Sequence, residues 1–304
     1  MLNHLNINPT RPRRVVILGA KGFVGRVTAQ KLTEEKIDYL ALGREELDLT
    51  HSDSAHQLAN ILQPEDVLII VSAKAPCKNN AMLLENIQMM KTICDALSLQ
   101  SPQHVIYISS DAVYTDSMQK LQENSPAAPT SLHGVMHLTR EHMLQSVLQQ
   151  KSLLILRPSL LYGAKDPHNG YGPNSFYRLA IQNKAIELFG YGEERRDHVY
   201  IEDVSKIIHL CLMHRSYGVL NITTGEVVSF ADIAELVKQS FNQSLKINYR
   251  PRSGVMPHNG YRAFDNSVCK HAFSSFQYTM LLEGLLKMHQ QSENCFSLNT
   301  SIIE

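Results

Sequence analysis

The sequence carries no excess of charge of either sign. Lys and Arg together number 29, and Asp and Glu also number 29, in a chain of 304 residues. A surface that binds nucleic acid normally shows as a basic excess, and an acidic tail is missing as well. We therefore predict no nucleic-acid partner.

Paired cysteines and long apolar runs are also missing. The opening residues, "MLNHLNINPTRPRR", lack the apolar core of a signal peptide, and no apolar run reaches the roughly 18 residues that cross a bilayer. No C-x-x-C pair is present, which is typical of reduced thiols rather than of a disulfide framework. These absences predict a soluble cytoplasmic protein without a membrane partner. The cysteines are Cys77, Cys94, Cys211, Cys269 and Cys295.

Short apolar runs alternate with helical patterns through the first half of the chain. The runs "RRVVILG", "IDYLALG", "DVLIIVS", "HVIYISS" and "SLLILRP" have the length and composition of strands buried on both faces. Segments with apolar residues at helical spacing lie between them, one of which opens with Ser52 or Asp53 as the expected N-cap. Because strands that alternate with helices imply right-handed crossovers, we predict an α/β fold with a Rossmann-type doubly wound parallel sheet.

The pattern changes after about Gly163. "GAKDPHNGYGPNS" is rich in Gly, Pro and Asn and predicts a long loop, and the last sixty residues are also rich in loops. "VLNITTG" (219–225) predicts one more strand, and "SFADIAELVKQSF" predicts an amphipathic helix that begins at Ser229. We predict a dinucleotide-binding domain and a smaller C-terminal substrate-binding domain. Their residues are 1–165 with 199–225, and 166–198 with 226–304.

A glycine-rich turn, "GAKGFVG", lies between the first predicted strand and the first predicted helix. Its glycines allow a tight turn and a close backbone approach, so that a pyrophosphate can rest on the helix N-terminus. The alternative is a turn of the same kind without a ligand. Because strand, turn and helix occur in order, we predict a dinucleotide cofactor. The predicted contacts are Gly19, Lys21, Gly22, Phe23, Val24, Gly25, Arg44, Asp48, Leu49, Ala73 and His137.

The end of the second strand bears on which dinucleotide binds. An acidic residue there normally hydrogen-bonds the adenosine ribose of NAD, but "LALGREELDLT" has Arg44, whose forked donors suit the extra phosphate of NADP. Glu45 and Glu46 leave NAD open, since either can bind a ribose or pair with Arg44. Residues 48–49 fall where a side chain would flank the adenine. We predict NADP, with NAD as the alternative.

Five ordered motifs resemble those of a known family. They make the chain similar to the extended short-chain dehydrogenase/reductase family, the NAD(P)-dependent epimerases, dehydratases and reductases of nucleotide-activated sugars. "GREELDLTHS" also resembles the corresponding part of GDP-fucose synthases, which use NADP. The motifs are "GAKGFVG", "YISSDAVY" (107–114), "RPSLLYG" (157–163), "RRDHVYIEDV" (195–204) and "LNITTGEVVS" (220–229).

The resemblance implies a catalytic set of Ser or Thr, Tyr, and a Lys four residues after the Tyr. In that chemistry a hydride moves between the substrate carbon and the nicotinamide while the Tyr transfers the hydroxyl proton. The Lys holds the nicotinamide ribose and lowers the pKa of the Tyr, and the Ser hydrogen-bonds the substrate oxygen. Ser110 matches the serine, with Ser109 as its neighbouring alternative.

Two histidines occupy the positions of the tyrosine and the lysine. The stretch "HGVMHLTRE" keeps the glycine and the glutamate of the family pattern but has His133 and His137. We predict that His133 is the acid/base, because imidazole exchanges protons near neutral pH. We predict that His137 contacts the cofactor ribose as a neutral hydrogen-bonding group, since two adjacent cations disfavour each other.

Three alternatives stay open for the two histidines. In the first alternative, the site has lost its redox step, and the protein binds a dinucleotide or a nucleotide sugar without turnover. The histidines, four residues apart on one helix face, bind a metal, although the sequence shows no third ligand, and we predict none. In the third alternative, another residue such as Tyr114 or Tyr171 is the acid/base, or the histidines are structural.

Arginine side chains mark the expected substrate end. The resemblance implies that Arg196 grips the diphosphate of a nucleotide sugar, which suits a forked guanidinium. Arg262 is a second candidate for a phosphate contact, or it pairs with Asp265. Asn174 lies where the substrate loop of the family passes.

We therefore predict an enzyme, an NAD(P)-dependent epimerase or reductase of a nucleotide-activated sugar with an atypical Ser110, His133 and His137 site. The alternative is a non-catalytic nucleotide-sugar or dinucleotide-binding protein of the same fold. The resemblance also implies a homodimer through helices predicted at 80–98 and 130–150. Epimerisation, reduction and dehydration differ in geometry and in whether the hydride is returned, so the sequence leaves them open.

Overall fold

The computed structural model describes the backbone of residues 2–300 and their side chains except those of residues 151 and 294–300. The strands are β1 (Asn3–His4), β2 (Arg14–Leu18), β3 (Tyr39–Leu42), β4 (Asp66–Ile70), β5 (His104–Ile108), β6 (Leu153–Pro158), β7 (Leu160–Tyr162), β8 (Ile186–Phe189), β9 (Arg195–Arg196), β10 (His198–Tyr200), β11 (Ser216–Ile222), β12 (Val228–Ser229), β13 (Ile247–Arg250) and β14 (Tyr261–Arg262). The α-helices are α1 (Phe23–Glu34), α2 (Ser54–Ile61), α3 (Asn80–Leu99), α4 (Leu132–Val147), α5 (Pro173–Ile181), α6 (Ile201–Met213), α7 (Phe230–Phe241), α8 (Ser267–Ala272) and α9 (Leu281–Thr300). Short 3-10 turns are Asp111–Val113, Gln150–Ser152 and Pro257–Gly260.

The main sheet has the strand order β1-β11-β6-β5-β4-β2-β3. β1 is antiparallel to β11, and the other neighbouring strands are parallel. The chain runs from β2 outward to β3 and then returns to the other side of β2 as β4, so the direction of winding reverses between β2 and β4. Ligands of open α/β sheets bind outside the carboxyl ends of the strands at such a switch point. The predicted fold class is confirmed.

Helices cover both faces of this sheet, which explains the continuous apolar strands. Val15 and Ile17 of β2 face a cluster that includes side chains of α1 and α6. Val16 and Leu18 face the opposite cluster, which includes side chains of α2, α3 and α4. Each residue of β2 after Arg14 is therefore buried, because a strand between two helical layers has no solvent-facing side.

A third apolar cluster lies in the second half of the chain. It is built mainly from α5, α7 and the small parallel sheet of β8 and β13. The predicted helix at α7 is confirmed, and Ser229 caps it in a capping box with Asp232. The predicted strand at 219–225 lies at β11, where pairing ends at Ile222. The division into two domains stays a prediction.

The described cysteines are free and buried, and the side chain of Cys295 lies outside the described part. Burial raises the pKa of the Cys94 thiol to about 11, so that thiol stays protonated at neutral pH. Within residues 2–300, no helix has the length and apolar character needed to cross a bilayer.

Candidate active site

Two glycines, one in the turn after β2 and one in the first turn of α1, leave no room for a side chain. Gly19 has φ +87°, and a Cβ there would lie 2.7 Å from the backbone nitrogen of Ser72. A Cβ on Gly25 would lie 2.2 Å from the carbonyl oxygen of Gly19. Glycine is therefore required at both positions. Ala73 follows Ser72 on the facing loop, so the predicted cofactor contacts from the two strand ends do lie together.

The N-terminus of α1 is open to an anion. Its N-cap is Gly22, which offers no side-chain cap, and its first turn has no acidic residue. The first N–H groups of a helix have no partners within the helix, and the helix dipole favours negative charge there. Phe23 and Val24 supply these groups. The cradle therefore fits the pyrophosphate of a dinucleotide.

Charged side chains gather where β3 ends. Lys21 Nζ lies 2.5 Å from Glu45 Oε2 and 2.9 Å from Glu46 Oε1. Arg44 Nε lies 2.9 Å from Asp48 Oδ2, and the Arg44 side chain is 73% exposed. The partners of the Lys21 pairs are all exposed, and exposed ion pairs contribute little to stability, so a ligand phosphate can replace these carboxylates at small cost.

The same region holds two further predicted cofactor residues. Hydrogen bonds from Thr50 hold the pKa of Asp48 far below its usual range, so this carboxylate stays ionised. Leu49 is buried in the apolar cluster under α2 and α3, so its side chain packs in the core. Glu46 Oε2 accepts a 2.7 Å hydrogen bond from the Gly43 N–H and is thereby fixed at the strand end.

The start of α4 rests on the turn after β5. Ser131 caps α4 by accepting a 3.1 Å hydrogen bond from the Gly134 N–H. A Cβ on Gly134 would lie 2.1 Å from the carbonyl oxygen of Ala112. Ser110 is the N-cap of that turn and accepts from the Ala112 N–H at 3.1 Å. The contact thus brings the Ser110 turn against the helix turn that carries His133.

His133 is partly buried in the first turn of α4. Burial lowers the pKa of His133, and the Asp111 carboxylate offsets part of that effect. Its Nδ1 accepts a 3.4 Å hydrogen bond from the Cys77 N–H, which is long for such a bond. The ring is therefore neutral at pH 7 and weakly held, and it is able to accept a proton.

His137 is fully buried against His133. The two rings meet edge to face with centroids 4.7 Å apart. His137 Nδ1 lies 2.8 Å from the Tyr107 hydroxyl. Burial lowers the pKa of His137 well below its usual range, and the neighbouring His133 and Arg140 lower it further. This shift favours the neutral ring, and the contact of His137 with the cofactor stays a prediction.

Sequence reasoning missed Arg140, which is fully buried on the next turn of α4. Its Nη2 donates a 2.7 Å hydrogen bond to the carbonyl oxygen of Ser72, and its guanidinium lies 5.3 Å from the Tyr107 ring centroid. Arg140 thus ties α4 to the loop after β4. Nothing in the local sequence distinguishes it from a solvated arginine.

A buried polar network behind the site occupies two of the alternative catalytic residues. Ser109 Oγ donates to Glu141 at 2.5 Å, and Glu141 forms a buried ion pair with Arg157. Arg157 donates to the Tyr114 hydroxyl at 3.0 Å, and that hydroxyl donates to Asn221 at 2.7 Å. Ser109 and Tyr114 therefore have structural partners, whereas Ser110 is only partly buried.

Two arginines share one carboxylate at the predicted substrate end. Arg196 Nη2 is paired with Glu194 and donates to the Pro257 carbonyl oxygen at 3.2 Å. Arg252, which sequence reasoning missed in "YRPRSG", lies 3.4 Å from Glu194. Among the described residues, Arg196 Nη1 and Arg252 Nε are buried without a hydrogen-bond partner. Two donors of this arginine pair therefore lack an acceptor.

Arg262 is buried and is held by two carboxylates of residues 111–116. Its Nε lies 2.7 Å from Asp111 and its Nη1 lies 3.0 Å from Asp116. Asp265, the partner suggested by the sequence, instead accepts from Gln122 and from the Ser267 N–H. The ion pair of Arg262 is thus with the turn that follows Ser110, so this arginine links the C-terminal segment to the candidate site.

Asn174 and Tyr171 have internal partners. The Asn174 side chain accepts from the Gly163 N–H at 3.0 Å and donates to Asp166 at 2.7 Å. The Tyr171 hydroxyl accepts from the Phe189 N–H at 3.2 Å. The substrate contact of Asn174 stays a prediction. Within the described part of the chain, no group of three or more His, Cys, Asp or Glu is placed to hold a metal ion.

Comparison with known proteins gives consistent results. A sequence model of the NAD dependent epimerase/dehydratase family matches residues 15–223. An uncharacterized UDP-glucose epimerase of Bacillus subtilis (strain 168), YtcB, is 24% identical over 307 residues, which cover 90% of this chain and 95% of that protein.

Two solved structures share the fold. The UDP-glucose 4-epimerase of Thermotoga maritima with UDP-glucose has a TM-score of 0.80 at 18% identity, over 93% of this chain and 99% of the other. A GDP-L-fucose synthetase of Naegleria fowleri bound to NADP has a TM-score of 0.80 at 16% identity, over 97% and 98% of the two chains.

Proposed function

Because the chain belongs to the NAD dependent epimerase/dehydratase family, we propose that it transfers a hydride at a sugar carbon of a nucleotide-activated sugar, as an epimerase or reductase. The observation that carries this proposal is the pair Arg196 and Arg252. Each pairs with Glu194 and has a buried N–H group without a hydrogen-bond partner among the described residues. A diphosphate offers the acceptors that these N–H groups lack.

Exposed aromatic side chains beside this pair support a nucleotide as the diphosphate carrier. Arg252 donates to the carbonyl oxygen of Phe189 at 3.3 Å. Phe189, Tyr191 and Tyr249 are 48%, 81% and 58% exposed. Aromatic faces stack on bases, and such stacking contributes about 1–3 kcal/mol per base. The Thermotoga maritima relative of this fold was solved with UDP-glucose.

In the proposed reaction the chain's own groups act on one substrate oxygen. When bound, a dinucleotide would accept the hydride as the sugar carbon is oxidised and, in its reduced form, would donate a hydride as a keto-sugar is reduced. In the reductive direction His133 must first carry the proton that it gives to the oxygen. The Ser110 hydroxyl donates a hydrogen bond to the oxygen on the reacting carbon, and neutral His133 takes the proton of that oxygen and later returns it. His137 is proposed to hold the cofactor ribose. Whether the hydride returns to the same sugar distinguishes epimerisation from reduction.

We propose NADP as the preferred cofactor. Lys21 and Arg44 are the cations that a 2′-phosphate would engage. Lys21 pairs with the exposed carboxylates of Glu45 and Glu46, and Arg44 pairs with the partly buried Asp48. The family description names NAD, and Glu46, fixed by the Gly43 N–H, is the acceptor that an unphosphorylated ribose would use. Fluorescence titration with NADPH and NADH compares the two.

The titration has a defined variant and control. We expect NADPH to bind more tightly, and Arg44→Ala to weaken NADPH binding about tenfold, as loss of one charge-assisted contact to a phosphate would. NADH binding is expected to stay unchanged in that variant. Tighter NADH binding, lost in Glu46→Ala, would overturn the preference. Binding of neither would favour the non-catalytic alternative.

The substrate proposal is tested at the arginine pair. We expect Arg196→Met and Arg252→Met each to raise the KM for a keto-sugar nucleotide at least tenfold, because each removes a charge-assisted contact to the diphosphate. The dinucleotide affinity is expected to be unchanged. Arg250→Met is the matched control, since Arg250 is 65% exposed and pairs with Glu187. Equal effects of all three substitutions would contradict the assigned role.

A homodimer through α3 and α4 is also part of this proposal. Leu84 on α3 is 71% exposed, and Val135 and Val147 on α4 are each 37% exposed. Large apolar side chains in this number on adjacent helices favour an interface. Light scattering after size-exclusion chromatography is expected to give twice the chain mass.

A further inference from the structure

The hydroxyl of Tyr107 has one hydrogen-bond partner among the described residues. Tyr107 lies on β5, is 1% exposed, and meets His137 Nδ1 at 2.8 Å. Burial raises the pKa of Tyr107 far above neutrality, so its hydroxyl keeps its proton. Arg140 lies over the ring face, 5.3 Å from the centroid, and offers the hydroxyl no acceptor.

The direction of this hydrogen bond follows from satisfying the hydroxyl proton. If His137 donated from Nδ1, the Tyr107 O–H would be a buried donor without an acceptor, which costs about 1–3 kcal/mol. If Tyr107 donates, its proton is satisfied and its oxygen merely keeps an unused lone pair. Donation by Tyr107 is therefore the favoured arrangement. A neutral imidazole that accepts at Nδ1 carries its proton on Nε2.

The two neighbouring histidines differ in how firmly they are held. His133 Nδ1 receives only the 3.4 Å bond from the Cys77 N–H, which leaves that ring free to change its protonation. His137 Nδ1 receives a 2.8 Å bond from a buried hydroxyl. His137 Nε2 has no hydrogen-bond partner among the described residues and is the nitrogen left for a ligand.

We propose that Tyr107 is a positioning residue that fixes His137 as a neutral hydrogen-bond donor, with its proton on Nε2 directed at the cofactor. This inference rests on the proposed function, because in the family that the chain resembles a lysine at this position contacts the cofactor ribose. A neutral donor does this without placing a second charge beside His133. Arg140 on the next turn of α4 is not available as that cation, because its guanidinium already donates to the carbonyl oxygen of Ser72.

The tautomer is measured on the ligand-free protein. A two-bond 1H–15N correlation spectrum of protein labelled with 15N-histidine distinguishes the two neutral tautomers and the protonated ring. The chain has 14 histidines, so the His137 signals are identified by their loss in His137→Ala. We expect the Nε2–H form for His137 at pH 7. A ring protonated on Nδ1, or on both nitrogens, overturns the proposal.

Removal of the hydroxyl tests the role of Tyr107. In Tyr107→Phe we expect a mixture of His137 tautomers and a 5- to 10-fold weaker dinucleotide affinity, as for loss of one positioned hydrogen bond. Tyr114→Phe is the matched control, because it deletes another buried tyrosine hydroxyl, bonded to Asn221. It is expected to leave the His137 tautomer unchanged.

A double substitution separates positioning from a general structural role. If Tyr107 acts through His137, Tyr107→Phe has no further effect on affinity once His137 is Ala. The same loss in both backgrounds overturns the proposal. If Tyr107→Phe does not fold, the spectrum of the unsubstituted protein decides alone. If His137 carries its proton on Nε2 but the protein binds neither dinucleotide, the proposed function is overturned. If the protein binds a dinucleotide but His137 carries its proton on Nδ1, this inference alone is overturned.

Discussion

At the scale of the residue, the properties of His133 come from its neighbours rather than from imidazole itself. Burial lowers its pKa, whereas the Asp111 carboxylate raises it in part. The balance keeps the ring neutral at pH 7, so it accepts a proton without first having to lose one. In the catalytic set of the family, the charge of a lysine lowers the pKa of the tyrosine. At His133, exclusion of solvent lowers the pKa instead.

We expect His133→Ala to reduce the rate of hydride transfer by about 10²- to 10⁴-fold, the usual contribution of a positioned acid/base. Dinucleotide affinity is expected to change little. Because burial lowers the pKa of His133, the acid limb of the rate in the unsubstituted enzyme should lie below pH 6.5. His142→Ala, an exposed position on the same helix, is the control. An unchanged rate in His133→Ala would remove His133 from the mechanism.

The sequence predicted Ser110, His133 and His137 as site residues because the motif positions could be counted along the chain. It did not identify Tyr107 or Arg252. Tyr107 acts through its proximity to a helix 30 residues later, and Arg252 through a carboxylate 58 residues earlier. Such partners are set by packing between elements, and no local pattern records them.

At the scale of the element, the position of α4 depends on one missing side chain. Gly134 is inside a helix, where Ala would normally be favoured by about 1 kcal/mol. Its Cβ position, however, is 2.1 Å from the carbonyl oxygen of Ala112. The contact between α4 and the turn after β5 requires glycine, and this contact sets the spacing between Ser110 and His133.

We expect Gly134→Ala to lower the free energy of unfolding by about 3 kcal/mol, the cost of forcing atoms into a filled space. Urea denaturation measures this value, and loss of activity should accompany it because α4 must move. Gln57→Ala, at an exposed position on α2, is expected to change stability by less than about 0.5 kcal/mol. A stabilised Gly134→Ala would show that α4 adjusts without cost.

At the scale of the whole molecule, stability depends on histidines that are buried in the neutral form. His104 is fully buried on β5, and burial lowers its pKa to about 4. His198 behaves in the same way, with a pKa of about 3. Between these values and 6.5, the unfolded chain binds protons that the folded chain does not. Stability therefore rises with pH across this range and falls on acidification.

We expect the free energy of unfolding to fall by on the order of 3 kcal/mol for His104 alone as the pH drops from 6.5 to 4. His104→Gln should flatten this part of the stability profile, measured by thermal unfolding at several pH values. His51→Gln, at a side chain that is 75% exposed, is the control. An identical acid slope in His104→Gln would mean that other groups account for it.

The sequence by itself determined the sheet, the glycine cradle and the family, because each depends on residues that lie close together along the chain. Periodicity determines which strands are buried, and the spacing of Gly19, Gly22 and Gly25 determines the turn. The tertiary structure alone decided which partners Arg262, Asn174 and His137 have. Hydrogen bonds and ion pairs depend on distances of a few ångströms between elements, and these are fixed only when the layers pack.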